Sequence, residues 1–240
     1  MIIQACLNGA RPNNYHAALP VTVDEIVEAS VKAVQAGAAE LHVHPRDKQG
    51  KESLAAIDET VSALRNACPG TFVGISTGDW IEQDPSRTLK CIEEWQVLPD
   101  YASVNLSEEG APAVMDLLCR KGVGIEAGLA TLGDAERFLV TPGFDRVLRI
   151  LIEIEEQDIT KADKIADDIC SVLAASGLCK PVLLHGFDDT LWHFVRRARK
   201  EKFSTRVGLE DGNQMPDGSL APDNTSMVLA AAKLYQAEFG

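Results

Sequence analysis

The chain has 240 residues, of which 45% are hydrophobic and 25% are charged, so it can bury one large core. Its formal net charge of −13 disfavours general binding to nucleic acid or to anionic membranes, because both carry negative charge. No apolar run is long enough to cross a bilayer, and the first residues do not form a signal peptide. Six scattered cysteines without a CxxC pair are typical of a reducing compartment, so we expect a cytoplasmic protein.

Short apolar runs alternate with longer amphipathic segments along the whole chain. The apolar runs predict strands at residues 2–8, 40–44, 71–77, 101–107, 122–128, 145–154, 181–186 and 204–211. The amphipathic segments predict helices at residues 22–36, 53–66, 84–95, 111–121, 132–138, 161–176, 189–200 and 224–238. The first helix begins with a capping box, in which Thr22 is the N-cap and Glu25 is its partner.

Eight strand-then-helix units with short connections predict a parallel sheet covered by helices. Because eight such units close on themselves, we expect a (β/α)8 TIM barrel that forms a single domain over residues 1–240. The alternative is an open, doubly wound sheet. That alternative is weakened because no GxGxxG follows the first strand and no GxxxxGK[ST] occurs in the chain.

Polar residues end most of the predicted strands. In a barrel these ends meet at one mouth, which is where active sites of this fold lie. The residues are Asn8, His42, His44, Ser76, Thr77, Asn105, Glu126, Glu153, Glu155, His185, Arg206, Glu210 and Asp211. Since strands also become polar where they leave the core, the joint pattern is a better indication of a site than any single residue.

His42 and His44 lie on one face of the second strand, because side chains two residues apart point the same way. Two neutral imidazoles can bind zinc or a similar divalent metal, and Glu210 at the end of the eighth strand is a natural third ligand. The alternative is a pair of solvated histidines at a strand edge. His185 also ends a strand, where it would either contact substrate or bond a loop backbone. The three tryptophans are interpreted as packing residues.

Four motifs occur in order along the chain: LNGA at the first strand, LPVT before the first helix, ELHVHPRD at the second strand and RVGLED at the eighth. Together they resemble the β-keto acid cleavage enzymes, of which 3-keto-5-aminohexanoate cleavage enzyme is the best-known type. The resemblance covers nearly the whole chain. It implies a zinc-dependent barrel enzyme, usually a homo-oligomer, that exchanges acyl groups between a β-keto acid and acetyl-CoA to give acetoacetate and a new CoA thioester.

The resemblance also implies roles for individual residues. The metal ligands would be His42, His44 and Glu210. The catalytic residues would be Asp211 as the base, Arg206 as a cation that orients the base or binds a carboxylate, and Glu126. The substrate-binding residues, taken from the resemblance and from the strand ends together, would be Ser76, Asn105, Asn8, Arg11 and His185.

Three features depart from the family pattern. Arg11 stands where members often carry an acidic residue, Gly212 follows Asp211 where members usually have asparagine, and the loops are short. These features leave two other hypotheses open. One is a metal-dependent lyase or hydrolase of small carboxylic acids that does not use CoA, with Asp211 or Glu126 as the base. The other is a non-catalytic relative that has kept the metal.

Overall fold

The computed structural model describes residues 1–236, in which eight strands alternate with helices. The strands are β1 Ile3–Cys6, β2 Glu40–Val43, β3 Phe72–Ser76, β4 Tyr101–Asn105, β5 Gly124–Leu129, β6 Arg149–Ile154, β7 Val182–Gly186 and β8 Thr205–Val207. The helices are α1 Val23–Gln35, α2 Ile57–Ala67, α3 Asp79–Glu82, α4 Pro85–Glu94, α5 Ala111–Lys121, α6 Leu132–Val140, α7 Ile159–Ala175, α8 Leu191–Glu201 and α9 Asn224–Gln236. The predicted end of the last helix, at residue 238, lies outside the described residues.

All neighbouring strands are parallel, in the order β7-β6-β5-β4-β3-β2-β1-β8. The residue before β8 closes the ring, because the Ser204 N–H donates to the Val182 carbonyl and the Ser204 carbonyl accepts from the Leu184 N–H, both at 2.9 Å. The prediction of a (β/α)8 barrel is therefore confirmed. Within residues 1–236, no helix is long and apolar enough to span a membrane.

The capping box at the start of α1 is confirmed. The Thr22 hydroxyl accepts from the Glu25 N–H at 3.3 Å, and the Glu25 carboxylate accepts from the Thr22 N–H at 2.9 Å. These two bonds satisfy backbone donors that a helix start would otherwise leave unpaired.

The prediction that the eighth strand reaches residue 211 is wrong, since the β8 ladder ends at Val207. Gly208 then passes so close to the Cys6 carbonyl that a side chain at this position would overlap it. The chain turns there, with the Asp211 N–H donating to the Gly208 carbonyl at 2.9 Å. Glu210 and Asp211 are therefore held by a tight turn at the barrel mouth and not by strand pairing.

The interior of the barrel carries a buried polar network, which we call the floor network: Gln4, Glu40, Tyr101, Glu126 and Arg149. Arg149 on β6 donates to Glu126 on β5 at 2.6 Å and also pairs with Glu40 on β2. Gln4 on β1 donates to Tyr101 on β4 at 2.8 Å and to Glu126 at 3.2 Å. Side chains on strands that are not neighbours can meet in this way only across the inside of a barrel.

Candidate metal centre and active site

Three predicted ligands converge at the end of the barrel where β2 and β8 finish. The Nε2 atoms of His42 and His44 are 3.3 Å apart, and the Oε1 atom of Glu210 lies 3.8 Å from the first and 3.6 Å from the second. All three side chains are buried. Two nitrogens bonded to one tetrahedral zinc at about 2.0–2.1 Å would be about 3.3 Å apart. The spacing of the two imidazoles therefore fits a shared divalent metal ion.

The negative charge around these groups also suits a cation, and a metal that binds here would displace the proton of His44. Burial lowers the pKa of His42 to about 3, so this ring is the neutral imidazole that a metal needs. Burial lowers the pKa of His44 as well, but the carboxylates of Glu210 and Glu52 outweigh it and raise that pKa to about 9. Burial would raise the pKa of Glu210, yet Arg206 and the two histidines hold it well below its usual range. The second oxygen of Glu210 has no hydrogen-bond partner among the described residues, which leaves it available to a metal.

The position of His44 is fixed from two sides. The Asn8 side chain makes two hydrogen bonds to the backbone of His44. It accepts from the His44 N–H at 2.9 Å and donates to the His44 carbonyl at 3.0 Å. The Nδ1 atom of His44 contacts the Oε1 atom of Glu52. Such a carboxylate partner fixes the ring orientation and leaves Nε2 available to bind a metal.

Arg206 lies beside the predicted metal ligands and holds two carboxylates. Its Nη2 donates to Glu210 and to Asp211, both at 2.8 Å. Its Nε donates to the Nδ1 atom of His185 at 3.3 Å, so the single proton of that neutral ring is on Nε2. Burial raises the pKa of Asp211 to about 7, although the positive charge of Arg206 lowers it. The Oδ2 atom of Asp211 accepts no hydrogen bond within residues 1–236.

A cavity of about 440 Å³ opens onto this cluster. The predicted site residues that line it are Arg11, His42, His44, Ser76, Asn105, Arg206 and Glu210. Asp211 and His185 are fully buried and reach the cluster through Arg206. The structure does not bring Asn8 or Glu126 to the cavity, because Asn8 braces His44 and Glu126 belongs to the floor network.

Arg11, the residue that departs from the family pattern, lines the cavity but its charge is partnered. Its Nε donates to the Glu210 carbonyl at 3.0 Å, and its Nη2 pairs with Asp188 at 2.8 Å. Its guanidinium also lies 4.4 Å from the centre of the Tyr15 ring. Arg11 thus braces the backbone of Glu210, a predicted metal ligand.

Glu52 and Trp80 are among the site residues that sequence reasoning missed, and it assigned no role to Glu153. Trp95 and Trp192 are buried packing residues as predicted, but Trp80 is 40% exposed and lines the cavity. Glu153, at the end of β6, also lines the cavity. The sequence indication for Glu52 was weak: a turn sequence, Asp47 to Gly50, that could fold the chain back toward His44.

The sequence profile of the family described as beta-keto acid cleavage enzyme matches residues 1–162. The 3-keto-5-aminohexanoate cleavage enzyme of Fusobacterium nucleatum subsp. nucleatum is 33% identical over 260 residues, which cover 98% of this chain and 90% of that protein. The chain belongs to the β-keto acid cleavage enzyme family. The resemblance identified from the motifs is confirmed, and as a member of the β-keto acid cleavage enzymes the chain is an enzyme that acts on β-keto acids.

Two solved structures of ObcA share the fold of this β-keto acid cleavage enzyme. One is a ternary complex with a C4-CoA adduct and oxalate, with a TM-score of 0.73, and the other is a binary complex with oxaloacetate, with a TM-score of 0.72. Each is 18% identical and covers 90% of this chain. The chain spans only 63% of the length of ObcA in either comparison.

Proposed function

We propose that this β-keto acid cleavage enzyme catalyses a metal-dependent Claisen-type exchange between a β-keto acid and acetyl-CoA, which gives acetoacetate and a new CoA thioester. The observation that carries the proposal is the convergence of His42, His44 and Glu210 on one point of the cavity, with Arg206 and Asp211 directly beside them. Two imidazoles and one carboxylate favour zinc, although cobalt, manganese or nickel would use the same donors.

A divalent cation held by these ligands would supply Lewis-acid stabilisation of negative charge on the keto oxygen of the substrate. Arg206 is a fixed cation on the cavity wall, which suits it to bind the substrate carboxylate. Asp211 is fully buried behind Arg206, and it would take a proton from C2 through its unpartnered Oδ2 once the bound substrate brings C2 within its reach. C2 then attacks the acetyl carbonyl and displaces the CoA thiolate.

The second half of the exchange returns the proton. The thiolate attacks the original keto carbonyl, the bond from that carbonyl to C2 breaks, and C2 of acetoacetate recovers the proton from Asp211. Ser76 and Asn105 line the cavity with a hydroxyl and an amide, which can donate to the oxygens of the substrate and of the thioester. The complexes named for ObcA, with oxaloacetate and with a C4-CoA adduct, support substrates of this chemical kind.

A second candidate function is a lyase or hydrolase of small β-keto acids that does not use CoA. The acidic character of the cavity favours it, because Glu153 and Glu155 line the cavity together with Asp188, which is paired with Arg11. These carboxylates would repel the phosphate groups of CoA. In this case Asp211 would act as the base for a water molecule.

The test is to incubate the zinc-loaded protein with a panel of β-keto acids, with and without acetyl-CoA. Formation of acetoacetate and a new thioester supports the exchange. Product that forms equally well without acetyl-CoA supports the second candidate. If no β-keto acid of a broad panel gives any product, both candidate functions are overturned and the chain is a non-catalytic relative.

The roles of the residues are tested with single substitutions. His42→Ala and His44→Ala should each remove the bound zinc, because a three-ligand site loses one donor. Asp211→Asn should keep zinc and lower kcat by roughly 10²–10⁴-fold, the contribution typical of a general base. Full zinc retention by the histidine variants would contradict the proposed metal centre, and an unchanged kcat for Asp211→Asn would contradict the role of Asp211 as the base. We also propose that the protein is cytoplasmic and assembles as a homo-oligomer, which light scattering of the purified protein measures.

A further inference from the structure

Trp80 joins the cavity mouth to a metal ligand through one intervening residue. Its Nε1–H donates to the Oε2 atom of Glu52 at 3.1 Å, while the Oε1 atom of Glu52 contacts the Nδ1 atom of His44. The Glu52 side chain is only 13% exposed. Since a carboxylate removed from water must be satisfied by donors, both contacts hold Glu52 in place.

The loop between β2 and α2 explains why Glu52 lies beside His44. Arg46 and Glu52 face each other in an antiparallel bridge, and the Asp47 N–H donates to the Lys51 carbonyl at 2.7 Å. The loop is therefore a small hairpin that leaves β2 and returns to it. This return places a carboxylate behind the ligand that precedes the hairpin.

The start of α3 explains why Trp80 reaches Glu52. Its six-membered ring lies directly against Gly78, where a side chain would overlap the ring. Two residues further along, Glu82 accepts from the Leu54 N–H at 3.0 Å and ties α3 to the segment that follows Glu52. The indole is thus held at its six-membered ring by Gly78 and at its N–H by Glu52.

We propose that Trp80 is a positioning residue for the metal centre: its indole N–H orients Glu52, and Glu52 in turn orients His44 for metal binding. The proposal rests on the metal centre proposed above. It assigns to an aromatic residue of the cavity wall a role in metal affinity that goes beyond forming a surface for the substrate.

The test measures the zinc affinity of the metal-free, full-length protein by competition with a chromophoric chelator. Glu52→Ala should weaken zinc binding roughly 10–100-fold, the usual cost of removing an outer-shell partner, and Trp80→Phe, which keeps the ring but loses the N–H, should weaken it by roughly tenfold. The double variant should be no weaker than Glu52→Ala alone, because the indole acts only through the carboxylate. Trp192→Phe is the matched control, since Trp192 donates its own indole N–H to the Gln214 carbonyl at 2.7 Å, away from the metal ligands.

Each outcome decides the proposal. Unchanged zinc affinity in Trp80→Phe, or additive losses in the double variant, would overturn it while leaving the metal centre intact. Absence of zinc binding by the unmodified protein would instead remove the metal centre and this inference together. Tryptophan fluorescence is a second measurement, for use if a variant folds poorly. Zinc should change the emission of the unmodified protein and of Trp192→Phe but not that of Trp80→Phe. If zinc does not change the emission of the unmodified protein, the proposal is overturned.

Discussion

Glu153 shows how a carboxylate that lines the cavity can lower the stability of the folded protein. It lies at the end of β6, where its side chain is 15% exposed and its Oε2 atom is 3.9 Å from the Nε2 atom of His185. Burial raises its pKa from 4.5 to about 7, although the nearby Arg206 opposes the shift. Between these two pH values the folded protein holds a proton that the unfolded chain has released.

This difference predicts how stability depends on pH. Because the folded state binds the extra proton, the contribution of Glu153 to the free energy of unfolding falls as the pH rises from 4.5 to about 7. Glu153→Gln should therefore stabilise the metal-free protein at pH 8 by up to about 3 kcal/mol and have little effect at pH 5. Urea unfolding at both pH values measures this.

The control for that prediction is Glu155→Gln, which alters an exposed carboxylate two residues along the same strand end. It should change the free energy of unfolding by less than about 0.5 kcal/mol at either pH. An equal gain from both substitutions, or a gain from Glu153→Gln that does not depend on pH, would contradict the account given for Glu153.

At the scale of elements, the hairpin between β2 and α2 depends on one glycine. Gly50 has a φ of +77°, and a side chain there would press on Asn13 and Val21. Gly70, in the turn before β3, has a similar φ of +82° but open space around it. Substitutions at Gly50 and Gly70 therefore separate two effects of an added side chain. Both impose the unfavourable backbone conformation, but only the substitution at Gly50 also displaces the hairpin.

We therefore expect Gly50→Ala and Gly70→Ala each to lose about 1–2 kcal/mol of unfolding free energy, since a left-handed conformation is costly for alanine. Gly50→Ala alone should also weaken zinc binding, because it shifts the hairpin that carries Glu52. Chemical denaturation and a zinc titration of both variants measure the two effects. Equal zinc affinities would show that the hairpin does not position the metal ligand.

The elements that could be predicted from sequence are those set by local patterns. Alternating apolar runs gave all eight strands, and the capping box gave the start of α1 at Thr22. The two-residue spacing of His42 and His44 predicted that both imidazoles lie on one strand face, which the 3.3 Å between their Nε2 atoms confirms. The residues that were missed depend on loop conformation, since Trp80 and Glu52 meet only because two loops pack together. The early end of β8 follows from a contact between Gly208 and β1 that no local pattern records.

At the scale of the whole molecule, the interior of the barrel contains charged side chains as well as apolar ones. The floor network places Arg149 between the carboxylates of Glu126 and Glu40, and its guanidinium lies 4.7 Å from the centre of the Tyr101 ring. Removing one partner of a buried ion pair leaves the other charge unpaired, which is far more costly than losing a surface pair.

Arg149→Ala should therefore lower the free energy of unfolding by about 3–5 kcal/mol, because two buried carboxylates lose their cation. Arg120→Ala removes an exposed ion pair with Asp116 on α5 and should cost less than about 1 kcal/mol. Equilibrium unfolding of both variants measures the difference. Similar losses in the two would mean that the floor network contributes no more than a surface contact.

The proposed metal ligands come from opposite ends of the chain, and this has a consequence for biosynthesis. His42 and His44 leave the ribosome early, whereas Glu210 follows more than 160 residues later and reaches them only when β8 docks beside β1. A nascent chain thus offers two imidazoles and no third donor until the ring of strands has closed. Capture of the ion by all three donors would therefore come last, after the barrel is complete, so that loading with metal also reports that folding has finished.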